Sequence, residues 1–202
     1  VASVGATGSA TSGAITLLAD GDVTVNASLE TGTADTVDGD ATSGLVSVTS
    51  SNGSVAMSAA TVMTGDATVT GNGTATSGAI TLTAERNVDS DALSTGVASA
   101  AEGDATSGAI DVVATSGNVT LTTVTSGDAT VAGNGTATSG AITLTASGAN
   151  GTLTLDDALT GVASVGATGS ATSGAITLLA DGDVTVNASL ETGTADTVDG
   201  DA

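Results

Sequence analysis

The sequence predicts an all-β fold, a right-handed parallel β-helix (β-solenoid) of about 32 residues and three strands per coil, and three observations carry that expectation. The tetrapeptide Ala-Thr-Ser-Gly begins at residues 10, 41, 75, 105, 137 and 171, at spacings of 31, 34, 30, 32 and 34. Residues 1–41 recur letter for letter as residues 162–202, a tandem displacement of 161 residues that contains five of the shorter periods. Apolar residues between the tetrapeptides alternate with period two, which is the spacing of strands and not of helices. Periods of this size mark stacked repeats, and the competing repeat architectures fit poorly. Helical units need apolar spacing of 3.6 residues and few interior glycines, whereas this chain has 29 glycines. Propeller blades are longer and lean on aromatic signatures, and this chain has no Phe, Trp or Tyr. The right hand follows from the rule for parallel crossovers.

Each coil then reads in order. The first strand carries inward pairs at Ile15/Leu17, Val46/Val48, Ile80/Leu82, Ile110/Val112, Ile142/Leu144 and Ile176/Leu178, with Thr16, Ser47, Thr81, Asp111, Thr143 and Thr177 between them on the outer face. A glycine-bearing or acidic turn leads to a second strand with Val23/Val25, Val55/Met57, Val119/Leu121, Leu153/Leu155 and Val184/Val186 facing inward. The third coil departs from this pattern, because Glu85-Arg86-Asn87-Val88-Asp89 is charged where its neighbours carry Gly and Thr. Leu29, Val62, Leu93, Val124 and Leu159 follow as the next inward residues, and Gly32, Gly65, Gly96, Gly127 and Gly161 mark a kink before a third, shorter strand. Gly8, Gly39, Gly73, Gly103, Gly135, Gly169 and Gly200, each two residues before the next tetrapeptide, imply a corner that needs positive φ or close backbone approach. The whole chain, 1–202, reads as one continuous solenoid that opens in mid-pattern, as a segment cut from a longer protein would.

Composition removes several classes of function. With 22 Asp and Glu against the single cation Arg86, the formal net charge is -21, so nucleic acid and anionic membrane are unsuitable partners. Hydrophobic residues at 40% are too many for a disordered acidic tail. No apolar run reaches the ~20 residues of a membrane span. Without His, Cys, Lys or Tyr, the usual nucleophiles, bases and soft metal ligands are missing, so the chain is read as no enzyme and as carrying no cofactor. The one adjacent acid pair, Asp156-Asp157, is placed in a turn. The absence of cysteine fits an exported protein built without disulfides.

The phrases Gly-Asp-Ala-Thr-Ser-Gly-Ala-Ile-Asp-Val-Val-Ala (103–114), Gly-Asn-Val-Thr-Leu-Thr (117–122) and Gly-Asp-Val-Thr-Val-Asn-Ala (21–27) resemble the repeats of filamentous-haemagglutinin-like exoproteins, and the resemblance covers essentially the whole chain. It implies a long right-handed β-helical stalk, secreted or displayed at a cell surface and serving adhesion and biofilm formation. The expected role is therefore a rod or scaffold segment of an extracellular filament or giant surface adhesin. Its partner would be itself, through end-to-end continuation and lateral bundling, with surface carbohydrate as a further candidate.

Other features are weighed beside that role. Asn26, Asn52, Asn72, Asn118, Asn134, Asn150 and Asn187 stand in Asn-x-Ser/Thr and are candidate glycan acceptors, although Asn-Gly at 52, 72, 134 and 150 is also ordinary turn chemistry. Asp20-Gly21-Asp22 and Asp38-Gly39-Asp40 are the places for weak Ca²⁺ binding. Against a calcium ladder, the residues before successive tetrapeptides, Ser9, Asp40, Thr74, Asp104, Thr136, Ser170 and Asp201, set no acid beside an acid. An ice-binding face would need unbroken Thr-x-Thr ranks, and only Thr81/Thr83 and Thr143/Thr145 qualify on the first strand. Arg86 is expected to pair with Glu85, Asp89 or an acid of a neighbouring coil.

Overall fold

The computed structural model describes residues 1–202, the side chain of Ala59 excepted. The chain winds into a stack of about six coils whose strands form three all-parallel sheets, and no helix occurs among the described residues. The first sheet has six strands, each opening two or so residues past the tetrapeptide: Ile15–Ala19, Val46–Ser50, Ile80–Ala84, Ile110–Ala114, Ile142–Ala146 and Ile176–Ala180. The second contains Val55–Met63, Val88–Ser94, Val119–Thr125 and Leu153–Leu159, with shorter pieces in the end coils. The third runs through Ala34–Asp38, Ala67–Thr76, Ala98–Thr106 and Ala163–Thr172.

Registration is residue by residue. Ile80 pairs with Val46 below and Ile110 above, Leu82 with Val48 and Val112, and Ala75 with Ala41 and Ala105. Each inward position is thus a column of like side chains up the stack, and alternation puts the intervening hydroxyls outside. The inward columns of the first and second sheets pack into one aliphatic core of Ile, Leu, Val and Met, in which Val48, Met57, Leu82 and Leu144 are fully buried. The third sheet lines a second, thinner core of Ala and Val, including Ala34, Ala67, Ala98, Ala129 and Ala163. In these columns Ala and Val pack against one another, so this part of the interior is filled without aromatic rings.

Three expectations are corrected by the strands themselves. The third strand is not the shorter one: Ala67–Thr76 and Ala163–Thr172 are ten residues long, because the corner glycine bends the strand without ending its pairing. Leu159 does not face inward. Val124 registers with Ala158, which is buried, while Leu159 points outward at 42% exposure. The cause is a kink in the second sheet where two consecutive residues both face out, Asp91-Ala92, Thr122-Thr123 and Asp156-Asp157, so a count of alternating positions slips by one. Asp156-Asp157 accordingly lies within the strand Leu153–Leu159 and not in a turn.

The third coil keeps the second strand despite its charges. Val88 stands between Val55 and Val119, and Ser90 takes the inward place held by Met57 below and Leu121 above. The Ser90 hydroxyl is buried there with no hydrogen-bond partner.

Glycine is required at the corners by distance as much as by dihedral angle. Gly39 and Gly103 have φ of 115° and 104°, in the left-handed region that favours glycine. At Gly78, with an ordinary φ, an added Cβ would stand 2.5 Å from the carbonyl carbon of Gly44 in the coil below and closer still to its oxygen.

Candidate functional site

Two glycine corners face each other across every coil, and they separate the aliphatic core from the alanine core. One is the Ser-Gly of the repeated tetrapeptide. The other is the Thr-Gly or Ser-Gly that precedes the third strand. Both present a buried hydroxyl, and the two hydroxyl columns are wired together. Ser77 Oγ donates across its coil to the Gly96 carbonyl (2.6 Å) and accepts from the Gly108 N–H of the next coil (2.8 Å). Thr95 Oγ1 donates back to the Gly108 carbonyl (2.8 Å) and accepts from Gly127 N–H (2.9 Å).

The pattern repeats up the stack. Ser43 serves Gly65 and Gly78, Ser107 serves Gly127 and Gly140, and Thr64 serves Gly78 and Gly96. These hydroxyls are 1–4% exposed where the coil has neighbours on both sides. Corner carbonyls and amides cannot join the sheet ladders because the chain is turning there, so a hydroxyl at each corner supplies the missing partner. Sequence reasoning missed this network. The available signal was that the residue before each corner glycine is Ser or Thr without exception: Ser12, Ser43, Ser77, Ser107, Ser139 and Ser173 on one side, Thr31, Thr64, Thr95, Ser126, Thr160 and Thr192 on the other.

The outer corners carry a second set of contacts between coils, made by acids and amides. Asp22 Oδ1 accepts from Ser54 N–H (2.8 Å), Asp38 Oδ1 from Asn72 N–H (2.9 Å), and Asp40 Oδ1 from Thr74 N–H (3.2 Å). Asn87, Glu102, Asp104 and Asn118, higher in the stack, likewise accept from backbone N–H groups of the next coil. The acids that alternation left on the turns therefore tie one coil to the next. In no registered strand pair among the described residues does an acid face an acid; Asp35 meets Ser3 and Thr68, Asp104 meets Thr74 and Thr136, Asp111 meets Thr81 and Thr143.

The sequence-derived candidates fall as follows. All seven acceptor asparagines, Asn26, Asn52, Asn72, Asn118, Asn134, Asn150 and Asn187, are exposed. Three of the four carboxylates named for Ca²⁺, Asp22, Asp38 and Asp40, hold backbone amides, and no group of three or more metal-ligating side chains converges among the described residues. Asp156 accepts from Asn187 Nδ2 (2.8 Å), and Asp157 accepts from the amide and hydroxyl of Ser189. Glu85 lies in the field of Arg86, yet its hydrogen bonds come from Thr115 Oγ1 (2.7 Å) and Ser116 Oγ (2.8 Å) of the next coil. Those hydroxyls, with a smaller contribution from Arg86, hold the Glu85 carboxyl below its ordinary value. On the first sheet's outer face, Asp111 and Val113 stand between Thr81/Thr83 and Thr143/Thr145, so the threonine rank is broken at one coil in the middle.

The ends of the stack differ from its middle. Val23 is 9% exposed because Val55 covers it, whereas Val184, its copy in the last coil, is 45% exposed with no strand above. Leu190 is likewise 46% exposed where its equivalents Val62 and Leu93 are buried. The class of protein that this geometry defines is a parallel β-solenoid whose polar groups serve to join coil to coil. The chain matches no protein-family model, no curated protein and no solved structure. No helix among the described residues is long and apolar enough to cross a membrane.

Proposed function

We propose that the chain is a rod segment of an extracellular filament or giant surface adhesin, passive in chemistry, which holds more specialised parts apart and in line. The observation that carries this reading is the continuity of the stack: both hydroxyl ladders and the inward columns pass from coil to coil with the same partners, and no coil bears a long inserted loop. A spacer gains from repeating without change, because each coil then rests on its neighbours through the same contacts. Coils stack at about 4.8 Å, so a 161-residue unit advances only about 24 Å, and reach must come from many units.

A location outside the cell is supported by the acidic, cysteine-free surface and by the resemblance of the repeats to filamentous-haemagglutinin-like exoproteins. If the host glycosylates, the exposed acceptor asparagines would carry a glycan coat, which intact mass measurement reads directly. Electron microscopy and X-ray diffraction of the native assembly test the main reading. Expected are unbranched rods of constant width with an axial repeat near 4.8 Å. Globular particles, or a strand direction along the rod axis, would overturn it.

A further inference from the structure

The acidic residues are shared unequally among the three sheets. Of the 22 Asp and Glu, the strands of the first sheet carry only Asp111, those of the second carry Glu30, Asp89, Asp91, Asp156, Asp157 and Glu191, and those of the third carry seven, from Asp35 to Asp201. The remaining eight stand in turns and corners. The outer face of the first sheet is therefore nearly uncharged on a chain of net charge -21. It is also the most regular face. Each of its five strand pairs is registered over five residues without interruption, whereas several pairs of the other two sheets are broken by register shifts.

Two outward columns make up this face. One passes through Thr81, Asp111 and Thr143, and is hydroxyl-bearing except at Asp111. The other is Leu18, Thr49, Thr83, Val113, Thr145 and Leu179, in which every side chain presents at least one methyl group. An apolar strip thus runs beside a hydroxyl strip along the stack. The turn that ends these strands holds Asp20, Glu85 and Asp181, separated by the uncharged Ser51, Thr115 and Ser147, so the face has an acidic rim along one side.

We infer that the outer face of the first sheet is where two rods lie side by side, the partner being a second copy of this chain. Charge selects the face. Second or third sheets laid against each other would bring six or seven carboxylates from each copy into a gap that excludes water, whereas two first sheets enclose one from each. A second copy also has the same strand spacing, so the methyl and hydroxyl columns of both faces run at one pitch along the whole contact. Six strands about 4.8 Å apart and five residues of about 3.3 Å give a face of roughly 480 Å², and two copies together bury roughly 1,000 Å², just under the ~1,200 Å² of a standard stable interface. The 202-residue chain therefore pairs weakly, and each further 161-residue unit lengthens the face by five strands. The inference rests on the rod reading and adds to it the face through which rods bundle.

Sedimentation equilibrium of the 202-residue chain at about 1 mM tests the face. In about 1 M NaCl the screening length falls to about 3 Å and the acidic rims cease to repel, so the apparent mass is expected to rise from 18.5 kDa toward twice that value. Thr49→Glu with Thr145→Glu, both in the methyl-bearing column and beside no registered acid, is expected to abolish the rise. Thr125→Glu with Thr130→Glu adds the same charge to the outer faces of the second and third sheets, again beside no registered acid, and is expected to keep it. Both double variants are compared after each has shown the parent's β-sheet circular dichroism. A parent that stays at 18.5 kDa in high salt overturns the inference whatever the variants do, and retention of that single chain on an insoluble polysaccharide would give the face to carbohydrate instead. Equal loss from both double variants overturns it as well, because the contact would then belong to no one face. In each of these cases single unbranched rods would still appear by microscopy, so the rod reading would survive; absence of the rods themselves would be its separate failure.

Discussion

Replacing Ser77 by Ala isolates the hydroxyl ladder. Ser77 is 3% exposed, donates to the Gly96 carbonyl and accepts from the Gly108 N–H, and neither glycine group has another backbone partner at its corner. Removing one oxygen therefore strands two buried backbone groups in different coils. At about 1–3 kcal/mol for each unsatisfied group, the loss is about 2–6 kcal/mol, well above the half kcal/mol or so of an ordinary surface change. Because the chain has no Trp or Tyr, urea unfolding is followed by far-UV circular dichroism, with the slope m checked against the parent. Thr81→Ala, on the outer face of the neighbouring strand, is the control and should cost no more than about 0.5 kcal/mol. Ser126→Thr should be neutral, since Thr64, Thr95 and Thr160 make the same bonds in that column. A Ser77→Ala loss no larger than that of Thr81→Ala would refute the argument that the ladders hold the coils together.

Three further outcomes follow from the same geometry. Gly78→Ala should destabilise by about 3 kcal/mol or more by driving a Cβ into the Gly44 carbonyl, whereas Gly13→Ala, in the same tetrapeptide but with nothing within 4 Å, should be neutral or slightly stabilising; thermal melts of the two variants compare them directly. Ser90→Ala, which removes the partnerless buried hydroxyl between Met57 and Leu121, should stabilise by about 1 kcal/mol in urea unfolding, and a loss would mean that the hydroxyl has a partner. Glu85 has a folded-state value lowered from 4.5 by Thr115, Ser116 and Arg86, so its contribution is fully present above about pH 4.5 and fades as pH falls through the lowered value. The melting-temperature gap between the parent and Glu85→Gln should accordingly close on acidification below that point; a gap that widens there would show the reverse linkage.

Much of the fold was legible because its signals are local and repeated. Ile80 and Leu82 declare an inward face by alternation alone, and Gly39 and Gly103 declare a corner by their spacing from the tetrapeptide. Leu159 was misread because the kink at Asp156-Asp157 turns two neighbours outward, and a period-two count carries no memory of a bulge. The amide partners of Asp22, Asp38 and Asp40, which the sequence offered only as places for weak Ca²⁺ binding, were not legible because they lie 32 to 34 residues away, in another coil.

By itself, the order of residues determined the period, the parallel stacking, the inward columns and the glycine corners, since each follows from contacts repeated at one fixed separation. Only the tertiary structure decided that the two hydroxyl corners of a coil face each other and divide the interior in two. That contact joins Ser77 to Gly96 and Thr95 to Gly108, positions 19 and 13 residues apart whose meeting depends on how far the intervening sheets bend. Bend angles are set by packing across the whole cross-section, and a one-dimensional pattern does not contain them.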